Sequence, residues 1–353
     1  MKRFGNLYHK IYDMDNIRLA HKNARRGKNN YSDVKMVDRD PEKYFVQIHN
    51  SLKNKVFKNA QYQVFKRTER GKEREIFKLP YFPDRIIHHC IMQVLEPIWM
   101  KTFIRDTYAS MAGRGIHDGV IRMKDFLKDN DGTKYCLKLD IKKFYPSVNH
   151  DCLKNIIRKK IKCADTLWLL DTIVDSAEGV PIGNYLSQYF ANIYLSPFDH
   201  WLKEKKNIRY YARYCDDLVI LHNDKAFLHS LFSDIRKYMS SELKLEIKSN
   251  WQVFPSDERG IDFLGYRFFG KFTLIRKSIS KNFKRKIRVF LDDATDIRSC
   301  VKSVMSYYGW LIHGNGYNLW ISQCRRLLKT RRMCENSLTL RQMNIFLTAT
   351  NLR

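Results

Sequence analysis

No apolar run in this chain of 353 residues approaches the roughly 20 needed to span a bilayer, and no signal peptide opens it. A membrane protein and an exported one are therefore not expected, and a cytoplasmic protein is the default. Thiolate metal sites are also missing from the pattern. The eight cysteines, Cys90, Cys136, Cys152, Cys163, Cys215, Cys300, Cys324 and Cys334, form no Cys-x-x-Cys pair and have no nearby His at ligand spacing. They read as reduced thiols. Neither an internal repeat nor a low-complexity tract is visible, which excludes solenoids and biased tails. Negative charge is scarce: 37 acidic residues face 65 basic ones, a formal charge of +28. The partner such a surface fits is a polyanion, RNA or DNA, bound with strong salt dependence.

Against that background the acidic residues that do occur carry information. Tyr214-Cys215-Asp216-Asp217 lies between two apolar runs, Ile208 to Ala212 and Leu218 to Leu221. The pattern predicts a hairpin with carboxylates at its tip. Adjacent like charges repel, and a cation between them, magnesium, explains their concentration. Taken alone, the Asp pair is equally well read as a solvated turn. Upstream, Tyr135-Cys136-Leu137-Lys138-Leu139 alternates as a strand and ends at Asp140. Three aspartates from two strands suit two divalent ions, one activating an attacking hydroxyl and one holding a triphosphate and its leaving group. Asp140, Asp216 and Asp217 are the candidate catalytic residues, and Ile141 joins them in the candidate metal-holding set.

These segments resemble the palm of a reverse transcriptase, with Asp140 in its first catalytic motif and Tyr214-Cys215-Asp216-Asp217 as its YxDD motif. Pro83-Asp84-Arg85-Ile86 through Pro97-Ile98 resembles the fingers block of group II intron-like enzymes, Gly113-Arg114-Gly115 the turn that follows, and Phe263-Leu264-Gly265-Tyr266 the primer-grip hairpin. The resemblance implies an α+β, right-hand polymerase fold: fingers with an N-terminal extension over 1–115, a palm over 116–269 into which part of the fingers can insert, and a helical thumb over 270–353. It further implies two Mg2+ ions, a template RNA and an RNA/DNA hybrid, deoxynucleoside triphosphates as substrates, and a bacterial or phage-encoded origin. Arg353 ends the sequence, and a ribonuclease H, endonuclease or maturase module is not expected within it.

Between the carboxylate motifs the chain reads Val180-Pro181-Ile182-Gly183-Asn184-Tyr185-Leu186-Ser187-Gln188. Most bacterial and retroviral reverse transcriptases carry Gln-Gly and then Ser-Pro here. An apolar residue before the Gly, with Ser-Gln in place of Ser-Pro, resembles the enzymes of diversity-generating retroelements. Those enzymes copy a template repeat RNA with frequent errors at adenines and act with a small, basic, pentameric accessory protein. Drift at two positions in a stand-alone bacterial, phage-defence or group II intron-like reverse transcriptase is the alternative. An inactive polymerase-fold RNA-binding scaffold is a third reading, against which the three intact aspartates count.

By the same resemblance Lys78 and Arg85 match fingers positions that hold the incoming triphosphate, a task suited to guanidinium forks. Tyr145, five residues after Asp140, matches the steric gate that excludes a ribose 2′-hydroxyl. Phe144 is expected to point the other way, into the core, if the segment is extended. Ile182, Gly183 and Gln188 are further nucleotide-site candidates. Lys248 is either a triphosphate-side cation or a solvated lysine. Arg114 and the basic run that includes Lys281, Lys284, Arg285 and Arg288 are candidates for nucleic-acid contact. Residues 271 to 290 hold eight basic residues and no acidic one. Tyr307-Tyr308-Gly309-Trp310 resembles part of the thumb. Ile86, Ile87, Cys90, Ile91, Val94, Leu95, Ile98 and Trp99 recur at helical spacing as core, with Pro97 kinking or ending that helix. His88 and His89 are expected to pack rather than to bind metal.

Overall fold

The structure, a computed structural model, describes residues 2–69, 72–292 and 297–329. Four helices open the chain, α1 (Tyr8–Ile11), α2 (Met14–Ala24), α3 (Ser32–Arg39) and α4 (Pro41–Lys53). Their starts are set locally: the Asp13 carboxylate accepts from the N–H groups of Asp15 and Asn16 at the head of α2. Asp40 does the same for Lys43 at the head of α4, where Pro41 occupies the first turn. The hairpin of β1 (Gln63–Glu69) and β2 (Lys72–Lys78) follows, antiparallel, with Gln63 opposite Lys78.

Helix α5 (Ile86–Met100) comes next. Every residue from Ile86 to Met92 is buried, His88 and His89 included, so its first half is apolar on all sides and central to the core. Two expectations change here. Val94 is only partly buried and Met92 takes the core place. Pro97 does not end the helix, which runs on to Met100; it lies within the last turn, and the only helical bond it removes is the one to the Gln93 carbonyl.

Then come α6 (Ile116–Phe126), β3 (Tyr135–Asp140), α7 (His150–Arg158), α8 (Ala164–Val174), α9 (Ser187–His200), β4 (Tyr210–Tyr214), β5 (Asp217–His222), α10 (Lys225–Leu243) and β6 (Gln252–Pro255). These strands form a sheet in the order β4-β5-β3-β6. The segment after Asp140 is not extended. It turns, with Lys143 at φ +45, and enters a short 3-10 turn at Tyr145–Ser147. Phe144 is buried at 3 % exposure through that turn rather than by strand alternation.

After α11 (Ser256–Arg259), β7 (Ile261–Phe263), β8 (Tyr266–Phe268) and β9 (Thr273–Ile275) make an antiparallel meander. Leu264 and Gly265, both at positive φ, form the two-residue turn between β7 and β8 that strand twist favours. The chain goes on through α12 (Lys277–Asp292), α13 (Ile297–Ile312) and α14 (Tyr317–Lys329). On α12, Phe283 and Ile287, four apart, join Val304, Leu311 and Trp320 in a small core. Each such burial is worth roughly 1.5–3 kcal/mol. Lys281, Lys284, Arg285 and Arg288 lie exposed on the same helix.

The chain divides into two compact units, each assembled from separate stretches: residues 1–114, 138–218 and 229–251 in one, residues 115–137, 219–228 and 252–353 in the other. The part of the expected thumb beyond residue 329 lies outside the described residues. No helix among the described residues is long and apolar enough to cross a membrane. Among the cysteines Cys90, Cys136, Cys152, Cys163 and Cys215 are free thiols.

Candidate active site

β4, a two-residue turn and β5 deliver Asp216 and Asp217, and β3, next to β5 in the sheet, delivers Asp140. Cys215 makes the turn possible by adopting φ +53, the left-handed region that side chains other than glycine rarely occupy. The Ile141 N–H donates to the Asp216 carbonyl at 3.2 Å, and the Lys248 N–H donates to the Asp140 carbonyl at 2.9 Å. The main chains around both aspartates are thereby tied to their neighbours.

The side chains pair differently from the expectation. Asp216 is opposed not by Asp217 but by Asp140. Burial, and then the charge of the Asp140 carboxylate, push the Asp216 carboxyl up to about 6. Asp217 instead forms an ion pair with Lys138 on β3. Asp216 is the second residue of the turn and Asp217 the first of β5, so these sequence neighbours take different partners. Lys248, read as either a triphosphate-side cation or a solvated lysine, lies with its Nζ 2.5 Å from Asp140 Oδ1. No group of three or more His, Cys, Asp or Glu side chains able to hold one metal ion is present among the described residues.

The donor set nevertheless fits a divalent ion. The Asp216 carboxyl, raised by burial and by the charge of Asp140, is stabilised in its ionised form by added positive charge, and an ammonium already lies against Asp140. Asp140, Asp216 and the adjacent Ile141 carbonyl are the groups for that role. Asp217, held by Lys138, would join them only if that ion pair opened.

Tyr145 stands beside the turn, its hydroxyl 3.9 Å from Cys215 Sγ. Burial raises its pKa well above the ordinary phenol range, so it is a neutral, space-filling ring. Lys78, Arg85 and Gly183 are brought together, with Lys28, Tyr31 and Tyr185, around one cleft of about 490 Å³. Arg85 Nε also donates to the Ala24 carbonyl at 3.3 Å. His88 lines the same cleft, and His89 stacks on Tyr185 with ring centroids 4.2 Å apart. Burial, the neighbouring histidine and the Arg85 charge hold His88 down to about 3. Burial and Arg85 hold His89 down to about 4. Both are neutral near pH 7, so the cleft's positive charge belongs to Lys28, Lys78 and Arg85.

Gly183 has φ +116, and a Cβ on it would sit 2.6 Å from the Phe77 carbonyl oxygen of β2. The Phe77 N–H donates to the Ile182 carbonyl at 2.8 Å, so the Ile182–Gly183 loop is fastened to the hairpin. Gln188 is exposed in the first turn of α9. Arg114 is only partly exposed and donates from Nη1 to the Ile104 carbonyl at 2.9 Å. Its guanidinium is thus engaged inside its own unit, which weakens its candidacy for nucleic-acid contact. Lys138 and the buried Arg213 and Asp199 were not expected at the site; only the alternation of β3 hints at the lysine.

The site thus combines carboxylates on adjacent strands with a cationic cleft beside a fastened loop. Residues 58–268 match the family described as "Reverse transcriptase (RNA-dependent DNA polymerase)". The match covers more than half of the chain, and the chain belongs to that family, whose right-hand polymerase fold it shares. Curated relatives include Protein YkfC of Escherichia coli (strain K12), 25 % identical over 238 residues, covering 55 % of this chain and 62 % of that protein. The Group II intron-encoded protein LtrA of Lactococcus lactis subsp. cremoris is 25 % identical over 189 residues, 49 % of this chain and 30 % of LtrA. The chain thus spans less than two thirds of either. Apo telomerase from Candida tropicalis overlaps with a TM-score of 0.49 at 14 % identity, over 70 % of this chain and 56 % of that one.

Proposed function

We propose that the chain synthesises DNA on an RNA template, with Asp140 and Asp216 at the reacting end and Lys78 and Arg85 at the triphosphate end. The observation that carries this reading is the Asp216 carboxyl standing against that of Asp140, raised by burial and by the Asp140 charge, inside the stretch that matches the family. Asp140, Asp216, the Ile141 carbonyl and a released Asp217 would hold magnesium, which supplies activation of the primer hydroxyl and neutralisation of triphosphate charge. The chain's own groups do the rest. Lys78 and Arg85 orient phosphate oxygens, and the Tyr145 ring occupies the space a 2′-hydroxyl would need. The exposed basic face of α12 tracks the template–primer backbone.

The finer proposal is an error-prone enzyme of a diversity-generating retroelement, working with a small basic pentameric partner. Its support is Ile182-Gly183 followed by Ser187-Gln188. Where related enzymes offer a Gln amide to the nascent pair, Ile182 can only pack. One such hydrogen bond is worth roughly 0.5–1.5 kcal/mol, so Ile182 is one contributor to low fidelity rather than its sole cause. The relative LtrA, a group II intron-encoded protein, supports the second reading, a stand-alone bacterial, phage-defence or group II intron-like enzyme. Copying a defined RNA and sequencing the cDNA tests both levels. Template-dependent DNA is expected, with errors concentrated opposite adenine that fall several-fold in Ile182→Gln. No DNA product refutes the polymerase reading, and uniformly low errors with the cognate RNA and partner present refute the finer one.

A further inference from the structure

Directly behind the Tyr214–Asp217 turn lies an ion pair that the chemistry does not itself require. Arg213, near the end of β4, and Asp199, in the last turn of α9, are both 0 % exposed. Arg213 Nε donates to Asp199 Oδ1 at 2.8 Å and Nη2 to Oδ2 at 2.6 Å. Tyr211, two residues away on the same face of β4, donates from its hydroxyl to Oδ1 at 2.6 Å. The Thr107 hydroxyl donates to Oδ2 at 3.3 Å. The last arm, Nη1, is shared between Asn192 Oδ1 and the Cys215 carbonyl, both at 3.1 Å. Asn192 is itself fixed, its amide donating to the Ala109 carbonyl at 2.8 Å. Backbone bonds from Arg213 N to Asp106 O at 2.9 Å and from Tyr108 N to Arg213 O at 3.1 Å anchor the strand end.

A buried ion pair loses hydration on both sides, and well-packed apolar residues of similar size frequently stabilise a fold as well or better. What apolar residues could not supply is the bond to the Cys215 carbonyl. That carbonyl belongs to the peptide plane leading into Asp216, and Cys215 is the strained residue of the turn at φ +53. Holding one end of a rigid peptide plane sets the direction from which the next side chain departs. A lysine in place of Arg213 would have one nitrogen, unable to grip Asp199 bidentately while reaching both Asn192 and Cys215.

We infer that Arg213, gripped by Asp199, is a positioning residue for Asp216: it pins the Cys215 peptide so that the Asp216 carboxylate stands against that of Asp140. The inference rests on the polymerase reading for its effect on catalysis, but its effect on the carboxylate pair can be read separately. Two variants of the full chain test it: Arg213→Lys, which keeps the buried charge paired, and Arg213→Met with Asp199→Leu, which removes both charges. Each is compared with the parent for template–primer affinity, KM for deoxynucleotide, kcat, and Mn2+ binding by electron paramagnetic resonance.

The expected result is unchanged template–primer affinity and KM, with kcat down on the order of 100-fold in the double variant and about tenfold in Arg213→Lys, as a small misplacement of a reacting group produces. Mn2+ should bind several-fold more weakly in both. Parental kcat and parental Mn2+ affinity in either folded variant would overturn the inference and leave the pair a structural element only. Should the double variant melt below the assay temperature, Arg213→Lys decides on the same readings. Should the parent make no DNA at all, the polymerase reading fails, and the Mn2+ titration alone decides whether Arg213 positions Asp216.

Discussion

At the Tyr214–Asp217 turn charges meet partners from neighbouring elements: Asp140 has Lys248, Asp217 has Lys138 and Arg213 has Asp199. Along α12 the charges are as numerous, yet Lys281, Lys284, Arg285 and Arg288 lie exposed on one face of a helix whose other face carries Phe283 and Ile287 into the core. The difference separates two uses of electrostatics. Charges preorganised by their surroundings can stabilise a reacting geometry without reorganising at the moment of reaction. Exposed charges act by number, through release of counterions, and tolerate replacement one at a time.

The sharpest way to break this contrast is Asp216→Asn or Asp140→Ala. Either should lower primer extension by on the order of 1,000-fold or more while gel-shift affinity for template–primer stays within about twofold. Extension near the parental rate would remove these residues from the reacting centre. Neutralising Lys284, Arg285 and Arg288 together should do the reverse. Binding should weaken by about tenfold or more, and the slope of log affinity against log salt should flatten by about two to three units, with little change in the rate once template is saturating. An unchanged slope would make that face merely solvated.

Tyr145→Ala sharpens the contrast from within the site. It removes bulk rather than charge, so it should raise ribonucleotide incorporation by roughly tenfold while leaving template affinity alone. An unchanged preference would move the gate elsewhere. The smallest effect is on stability. Because the Asp216 carboxyl is raised to about 6 when folded and lies near 3.9 when unfolded, its contribution is most favourable below about pH 4 and is lost as pH rises through about 6. In metal-free buffer the parent should lose on the order of 1–2 kcal/mol across that window relative to Asp216→Asn. Parallel melting curves for the two proteins across that window would refute the shared-charge account.

Local chemistry explains which parts of this site were legible from sequence. Alternation and turn residues predicted that Asp140 ends a strand and that Asp216 tips a hairpin, and the apolar period located α5. The same reasoning could not see that Asp216 faces Asp140, because that depends on β3 lying next to β5 rather than on any pattern within either strand. For the same reason Lys138 read only as one residue of an alternating strand, and Lys248 as either a triphosphate-side cation or a solvated lysine. Phe144 was placed in the core on strand logic, whereas a turn at Lys143 does the placing. Arg213 and Asp199 are 14 positions apart on different elements, and nothing in the composition of either element marks a buried charge pair.

The glycine at position 183 acts as a spacer gauge. The separation between its loop and the Phe77 carbonyl of β2 leaves no room for even one methyl group, since a Cβ would intrude to 2.6 Å. A library randomised at that codon and selected for DNA synthesis should return glycine alone. Every other residue would pry the hairpin off the loop and carry Lys78, at the hairpin's end, out of reach of the phosphates it is proposed to hold. The clones lost from such a selection would still contain folded protein, since the wedge acts on a partly exposed hairpin rather than on α5.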